Sequence, residues 1–196
     1  MKFRLLATFI AAFLWIAASE SDKPAYLLYE QSGAELDYAL LVDSAAAADV
    51  VLFGELHNNP IAHWLQLELI QDLQADSTLG ITIGMEMFEA DQQILIEEYF
   101  SGAISTNSFE SEARLWNNYQ TDYKPILEFA RSNGIPLIAT NIPRRYALAV
   151  FRNGMKALDS PSAEAKQWIA PLPIEVDTTL QSYRNMSQAA HGHGGP

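Results

Sequence analysis

The chain contains no cysteine. That excludes a disulfide framework, a thiolate metal site, a cysteine nucleophile and the acylated cysteine of a lipoprotein. Basic residues are scarce as well, with 12 lysines and arginines against 24 aspartates and glutamates and a formal net charge of −12. A chain so acidic is repelled by a phosphate backbone, which excludes nucleic acid as a partner. Long apolar runs are also missing. The run from Leu5 to Ala18 falls short of the roughly 20 apolar residues that a spanning helix needs.

That run has another meaning. Lys2 and Arg4 precede it, the small residues Ala17 and Ser19 flank a cleavage point after Ser19, and polar Glu20 to Pro24 follow. This is the pattern of a secretory leader. Residues 1–19 are expected to be removed on export, giving a periplasmic or secreted protein. Residues 20–196 are enough for one domain with its own core.

Three short apolar runs predict strands: Val50 to Phe53, Leu79 to Met85, and Pro136 to Thr140. Their continuous hydrophobicity suits strands buried on both faces. Between the first two, Asn59 is a helix cap, Pro60 suits the first turn, and Ile61, Leu65, Leu69 and Leu73 recur on one face. Further helices are predicted over 92–100, 123–132 and 145–158, the first two stopped by Gly102 and by Asn133-Gly134. Strands alternating with helices imply an α/β fold with a mostly parallel sheet flanked by helices. Pro171-Leu172-Pro173 breaks regular structure, and the His/Gly-rich end over 189–196 is expected to be flexible.

In such a sheet the ligand crevice lies beyond the carboxyl ends of the strands. The first run delivers Glu55, His57, Asn58 and Asn59 there, the second Glu86 and Glu89, and the third Asn141, Arg144 and Arg145. His57 precedes a helix N-terminus, where unpaired N–H groups favour an anion. With Glu55 and Glu86 it can bind a divalent metal or deprotonate a water molecule. Glu89 serves equally as a first-turn acid for the following helix. Arg144 and Arg145 can receive ligand carboxylates or pair with the acidic surface. The segment Trp116 to Tyr123 suits a flat conjugated ligand, a subunit interface or the core. Tyr119 and Tyr123 are candidate haem-iron ligands. His191 and His193 alternate with glycine as in weak metal-binding tracts.

Four segments in order carry a resemblance. They are Val50 to Pro60 with His63; Gly84-Met85-Glu86-Met87-Phe88-Glu89 with Asp91-Gln92-Gln93; Trp116 with Tyr123 and Pro125; and Ala139-Thr140-Asn141-Ile142-Pro143-Arg144. Together they resemble the ChaN-like haem-binding uptake proteins of the TIKI superfamily, which also holds erythromycin-esterase-like and metalloprotease-like members. The resemblance implies haem as ligand, a homodimer holding it between protomers, and work beside outer-membrane haem-uptake components. Its G-x-x-H motif falls on Gly54 and His57 and its acidic partner on Glu86. The implied cofactor-binding set is His57 with Tyr119, Tyr123 and Arg144. A hydrolase, metal-assisted or metal-free, would use His57 as base with Glu55 or Glu86. The superfamily's second G-x-x-H has no counterpart before Pro196, so the chain is expected to be truncated at its C-terminus.

Overall fold

The computed structural model describes residues 24–192, which divide between Val51 and Leu52 into two compact units. In the first, β1 (Leu28–Tyr29) and β2 (Glu35–Leu36) form a short antiparallel pair in the register Leu28 to Leu36. Gly33 takes φ +86° in the turn between them, a left-handed conformation that glycine adopts without steric cost. Helix α1 (Tyr38–Ala46) follows, with the Asp37 carboxylate accepting from Ala39 N at 2.9 Å as its N-cap.

The second unit begins its regular structure with α2 (Pro60–Ala75). Asn59 Oδ1 accepts from Ile61 N and Ala62 N at 3.0 and 3.3 Å, and Pro60 takes the first turn, as the sequence predicts. The helix turns His63, Leu65 and Leu69 inward. Then β3 (Ile83–Glu89) runs parallel to β4 (Leu137–Asn141). Parallel neighbours need a long crossover. It comprises α3 (Gln93–Phe100), α4 (Thr106–Glu112), a π-helical turn at Tyr119–Tyr123 and α5 (Lys124–Ser132).

The core lies where this crossover covers the sheet. Ile83, Met85 and Met87 alternate inward from β3, and Leu137 and Ala139 do so from β4. Against them pack Phe88, Ile96, Leu127 and the Tyr99–Phe109 pair, whose rings stack with centroids 4.7 Å apart. Each fully buried large apolar side chain contributes about 1.5–3 kcal/mol. Tyr99 keeps its polar end satisfied inside the core, donating to Glu128 Oε1 at 2.5 Å. The outer edge of β4 is closed by one side chain: Gln93 Nε2 donates to Leu137 O at 3.0 Å, and Gln93 Oε1 accepts from Ala139 N at 2.8 Å. Its amide stands in for the peptide of a further strand, which blunts an edge otherwise open to pairing.

Two of the expected strands differ from the sequence reading, and the short pair β1 and β2, with α4 and α7, was not among the expected elements. Val50 to Phe53 belongs to no sheet among the described residues, and Leu52 is 92% exposed. β-branched and aromatic residues favour a pleated surface only when a neighbour supplies the ladder, and this segment has none. The second strand also starts later than expected. Its ladder opens with Ile83 N donating to Pro136 O, because Gly134, at φ +66°, turns the chain just before β4 and leaves nothing for residues 79–82 to pair with. The strand also ends later, at Glu89, so Glu86 lies within it and not beyond its end.

After β4, α6 (Arg144–Asn153) stops at Gly154, whose φ of +73° splits the expected helix from a 3-10 turn at Met155–Asp159. Residues 171–173 lie outside any helix or strand, and α7 (Gln181–Gly192) closes the described chain. The leader over 1–19, His193 and the side chain of His191 lie outside the residues described.

Candidate functional site

The segment before α2 and the π-helical turn before α5 meet around one carboxylate. Glu55 Oε1 accepts from Tyr123 Oη at 2.5 Å and from His57 Nδ1 at 3.2 Å. Glu55 Oε2 accepts from Gln66 Nε2 at 2.7 Å and lies 3.2 Å from His63 Nδ1. Burial pushes the carboxyl pKa up, but the hydrogen bonds from Tyr123, Gln66 and His57 and the charge of His63 outweigh it. Glu55 is held below the ordinary glutamate value. Tyr123 is pushed above the ordinary phenol value, first by burial and then by its bond to Glu55.

The ionised Glu55 fixes the tautomer of His57. A carboxylate only accepts, so Nδ1 is the donor in this bond, and the neutral imidazole in that tautomer carries its lone pair on Nε2. The His57 side chain is 59% exposed against 14% for Glu55, so an exposed imidazole stands on a half-buried carboxylate. The indole of Trp116 meets the imidazole edge-on, with centroids 4.8 Å apart at 81°, and contacts Tyr123 in the same manner at 5.7 Å.

The backbone of His57 is pinned too. Its carbonyl accepts from Asn118 Nδ2 at 2.6 Å and from His63 Nε2 at 3.0 Å. Asn118 also donates to Asp122 Oδ2 at 2.7 Å, and Asp122 faces His63 Nε2 at 3.7 Å. His63 is buried, and both its nitrogens face acceptors, since Nδ1 meets Gln66 Oε1 at 3.1 Å as well as Glu55. The π-helical turn makes the convergence possible, because its wider spacing brings Asn118, Asp122 and Tyr123 to one side.

Of the residues marked by sequence, Glu55, His57 and Tyr123 come together. Glu86 points from β3 to solvent and makes no contact with His57 or Glu55 among the described residues. No group of three or more histidines, aspartates or glutamates among the described residues is arranged to hold a metal ion, so the geometry lends the divalent-metal arrangement no support. Tyr119 is buried in the core with no hydrogen-bond partner for its hydroxyl among the described residues. Burial first, and then the charge of Glu110, push its pKa well up. Arg144 is exposed and makes no ion pair among the described residues. Sequence reasoning assigned no role to Gln66, Asn118 or Asp122. The i, i+3 spacing of His63 and Gln66 and the i, i+4 spacing of Asn118 and Asp122 were the available signals.

A second polar cluster lies just past the carboxyl ends of β3 and β4. Arg114 Nη2 contacts Glu89 Oε2 at 2.9 Å and Asp91 Oδ1, and Arg145 Nη1 contacts Asp91 Oδ2. The Arg145 guanidinium also lies over the rings of Tyr146 and Trp168, at 4.6 and 5.2 Å.

Comparison with known proteins follows this geometry. The family model described as haem-binding uptake, Tiki superfamily, ChaN matches residues 41–196. A solved structure of ChaN of Campylobacter jejuni, described as showing cofacial heme binding, superposes with a TM-score of 0.60 at 13% identity. The match covers 86% of this chain and 64% of that one, and the likeness is one of fold. Protein RETICULATA-RELATED 5, chloroplastic, of Arabidopsis thaliana is 26% identical over 131 residues, which is 63% of this chain and only 17% of that protein's length.

Proposed function

Because the chain belongs to the ChaN haem-binding uptake family of the Tiki superfamily, we propose that it is an exported haem-binding protein of haem or iron acquisition. In this reading haem is the cargo and His57 Nε2 meets its iron. The observation behind the assignment is the 3.2 Å bond from His57 Nδ1 to Glu55, made by an imidazole that remains 59% exposed. A histidine ligand whose second nitrogen is tied to a carboxylate is fixed in orientation and made more basic, which suits an iron ligand. Trp116 supplies an aromatic edge beside the imidazole for a flat macrocycle. Tyr123 acts on the cargo through Glu55.

The finer parts of the reading are a haem held between two copies, delivery to or from outer-membrane uptake components, and export by the leader over 1–19. Support for the pairing is the cofacial haem described for the Campylobacter protein of like fold. Support for export is the charged, apolar and small-residue order from Lys2 to Ser19. Haemin added to the mature protein should shift the Soret band saturably and raise the molar mass in size-exclusion chromatography with light scattering. Monomer at every haemin ratio would remove the dimer, and absence of saturable binding would remove the whole reading.

The Glu55–His57 pair also suits a metal-free hydrolase in which Nε2 deprotonates water. Ester hydrolysis lost in His57→Ala would favour that second reading.

A further inference from the structure

Haem carries two propionates, and a strongly acidic chain needs somewhere to receive them. Three observations point to one place. Glu89 ends β3 and Asn141 ends β4, so Asp91 and the first turn of α6 with Arg144 and Arg145 stand on the carboxyl rim of the parallel pair, where ligands of open α/β sheets bind. Arg114 reaches this rim through Glu89 and Asp91. It stands two residues before Trp116, whose ring contacts His57. Two residues of chain span at most about 7 Å, so the side chains of Arg114 and Trp116 spring from neighbouring points of one loop.

The charges are also suitable. Arg114 and Arg145 pair with the two carboxylates Asp91 and Glu89, while the neighbouring Arg144 is exposed and makes no ion pair among the described residues, so three guanidinium groups stand against two acids here in a chain of net charge −12. Arg114 uses the single nitrogen Nη2 for both acids and is 48% exposed, which leaves Nη1 and Nε for an incoming oxygen. Arg145 is 46% exposed and its plane is held by Tyr146 and Trp168, so little orientational freedom remains to be lost on pairing.

Resting on the haem reading above, we propose that Arg114, with Arg145 and Arg144, forms the anionic subsite that receives the haem propionates while His57 faces the iron. Arg114 and Trp116 then act as the two ends of one loop, the first holding the acid edge of the ligand and the second its ring.

The test needs no substitution in its first arm. Wild-type mature protein is titrated with haemin and with haemin dimethyl ester, whose carboxylates are capped, in the same mixed solvent. Haemin should bind about tenfold or more tightly than the ester, with the advantage shrinking as salt rises. In the second arm Arg114→Gln and the exposed Arg144→Ala are titrated with both ligands. Each should weaken haemin and leave the ester unchanged, with the haemin Soret maximum retained because the iron ligand is untouched. Equal affinity of wild type for haemin and ester, or equal weakening of both ligands in the variants, would overturn the subsite and leave the haem reading standing. No saturable binding of either ligand would overturn both.

Discussion

Tyr123 donates its phenolic hydrogen to Glu55 Oε1 across 2.5 Å, although 68 positions separate the two in the chain. This bond closes the π-helical turn before α5 onto the segment that carries His57. It also anchors a carboxylate that three further side chains approach.

Tyr123→Phe removes that bond while the ring contacts to His63 and Trp116 at 4.6 and 5.7 Å are retained. Hydrogen bonds to charged groups contribute about 1.5–3 kcal/mol, and the variant should lose stability on that scale in urea unfolding. A loss below about 0.5 kcal/mol, the scale of a surface substitution, would mean the bond does not hold the two segments together.

Stability should also depend on pH in a direction fixed by Glu55. Its pKa is lowered in the folded state, so its contribution is complete above the unfolded value of about 4.3 and is lost as pH falls through the lower folded value. Tyr123 behaves oppositely. Its raised pKa gives stability that is complete below about 10 and is lost as pH rises through the folded value. Urea midpoints should therefore fall at the acid end in wild type, and Glu55→Gln should flatten that acid limb. An unchanged limb in Glu55→Gln would assign acid sensitivity to other carboxylates.

Gln93→Ala should open the edge of β4. Two hydrogen bonds go with it, at 3.0 Å to Leu137 O and 2.8 Å from Ala139 N. At about 0.5–1.5 kcal/mol each, the loss should reach about 1–3 kcal/mol, with faster amide exchange at Ala139 and more self-association as the edge is exposed. Unchanged exchange at Ala139 would show that the edge is protected by something else.

The α/β class was legible because both strands of the parallel sheet are apolar runs and the α2 cap is written locally in Asn59 and Pro60. Boundaries were harder where a partner decided them. Nothing local distinguishes Val50 to Phe53, which lacks a ladder, from Leu137 to Asn141, which has one. In the site, Glu55 and His57 stood out as polar residues ending an apolar run. Gln66, Asn118 and Asp122 did not, since ordinary polar residues gain meaning only when α2 and the π-helical turn bring them together. Tyr119 and Tyr123 lie four positions apart in the same aromatic segment. Tertiary packing alone sends one hydroxyl into the core and the other to Glu55.

The most direct test of the central claim is a haemin titration of mature wild-type, His57→Ala and Glu55→Gln proteins, read by Soret absorbance and by the electron paramagnetic resonance of the ferric iron. Wild type should bind saturably with a nitrogen-ligated signal. Glu55→Gln should bind about 10–100-fold more weakly, as expected when the group that orients a ligand is removed, and His57→Ala should lose the nitrogen-ligated signal while keeping its circular dichroism. Wild-type affinity and an unchanged iron signal in His57→Ala would contradict the assignment of His57 to the haem.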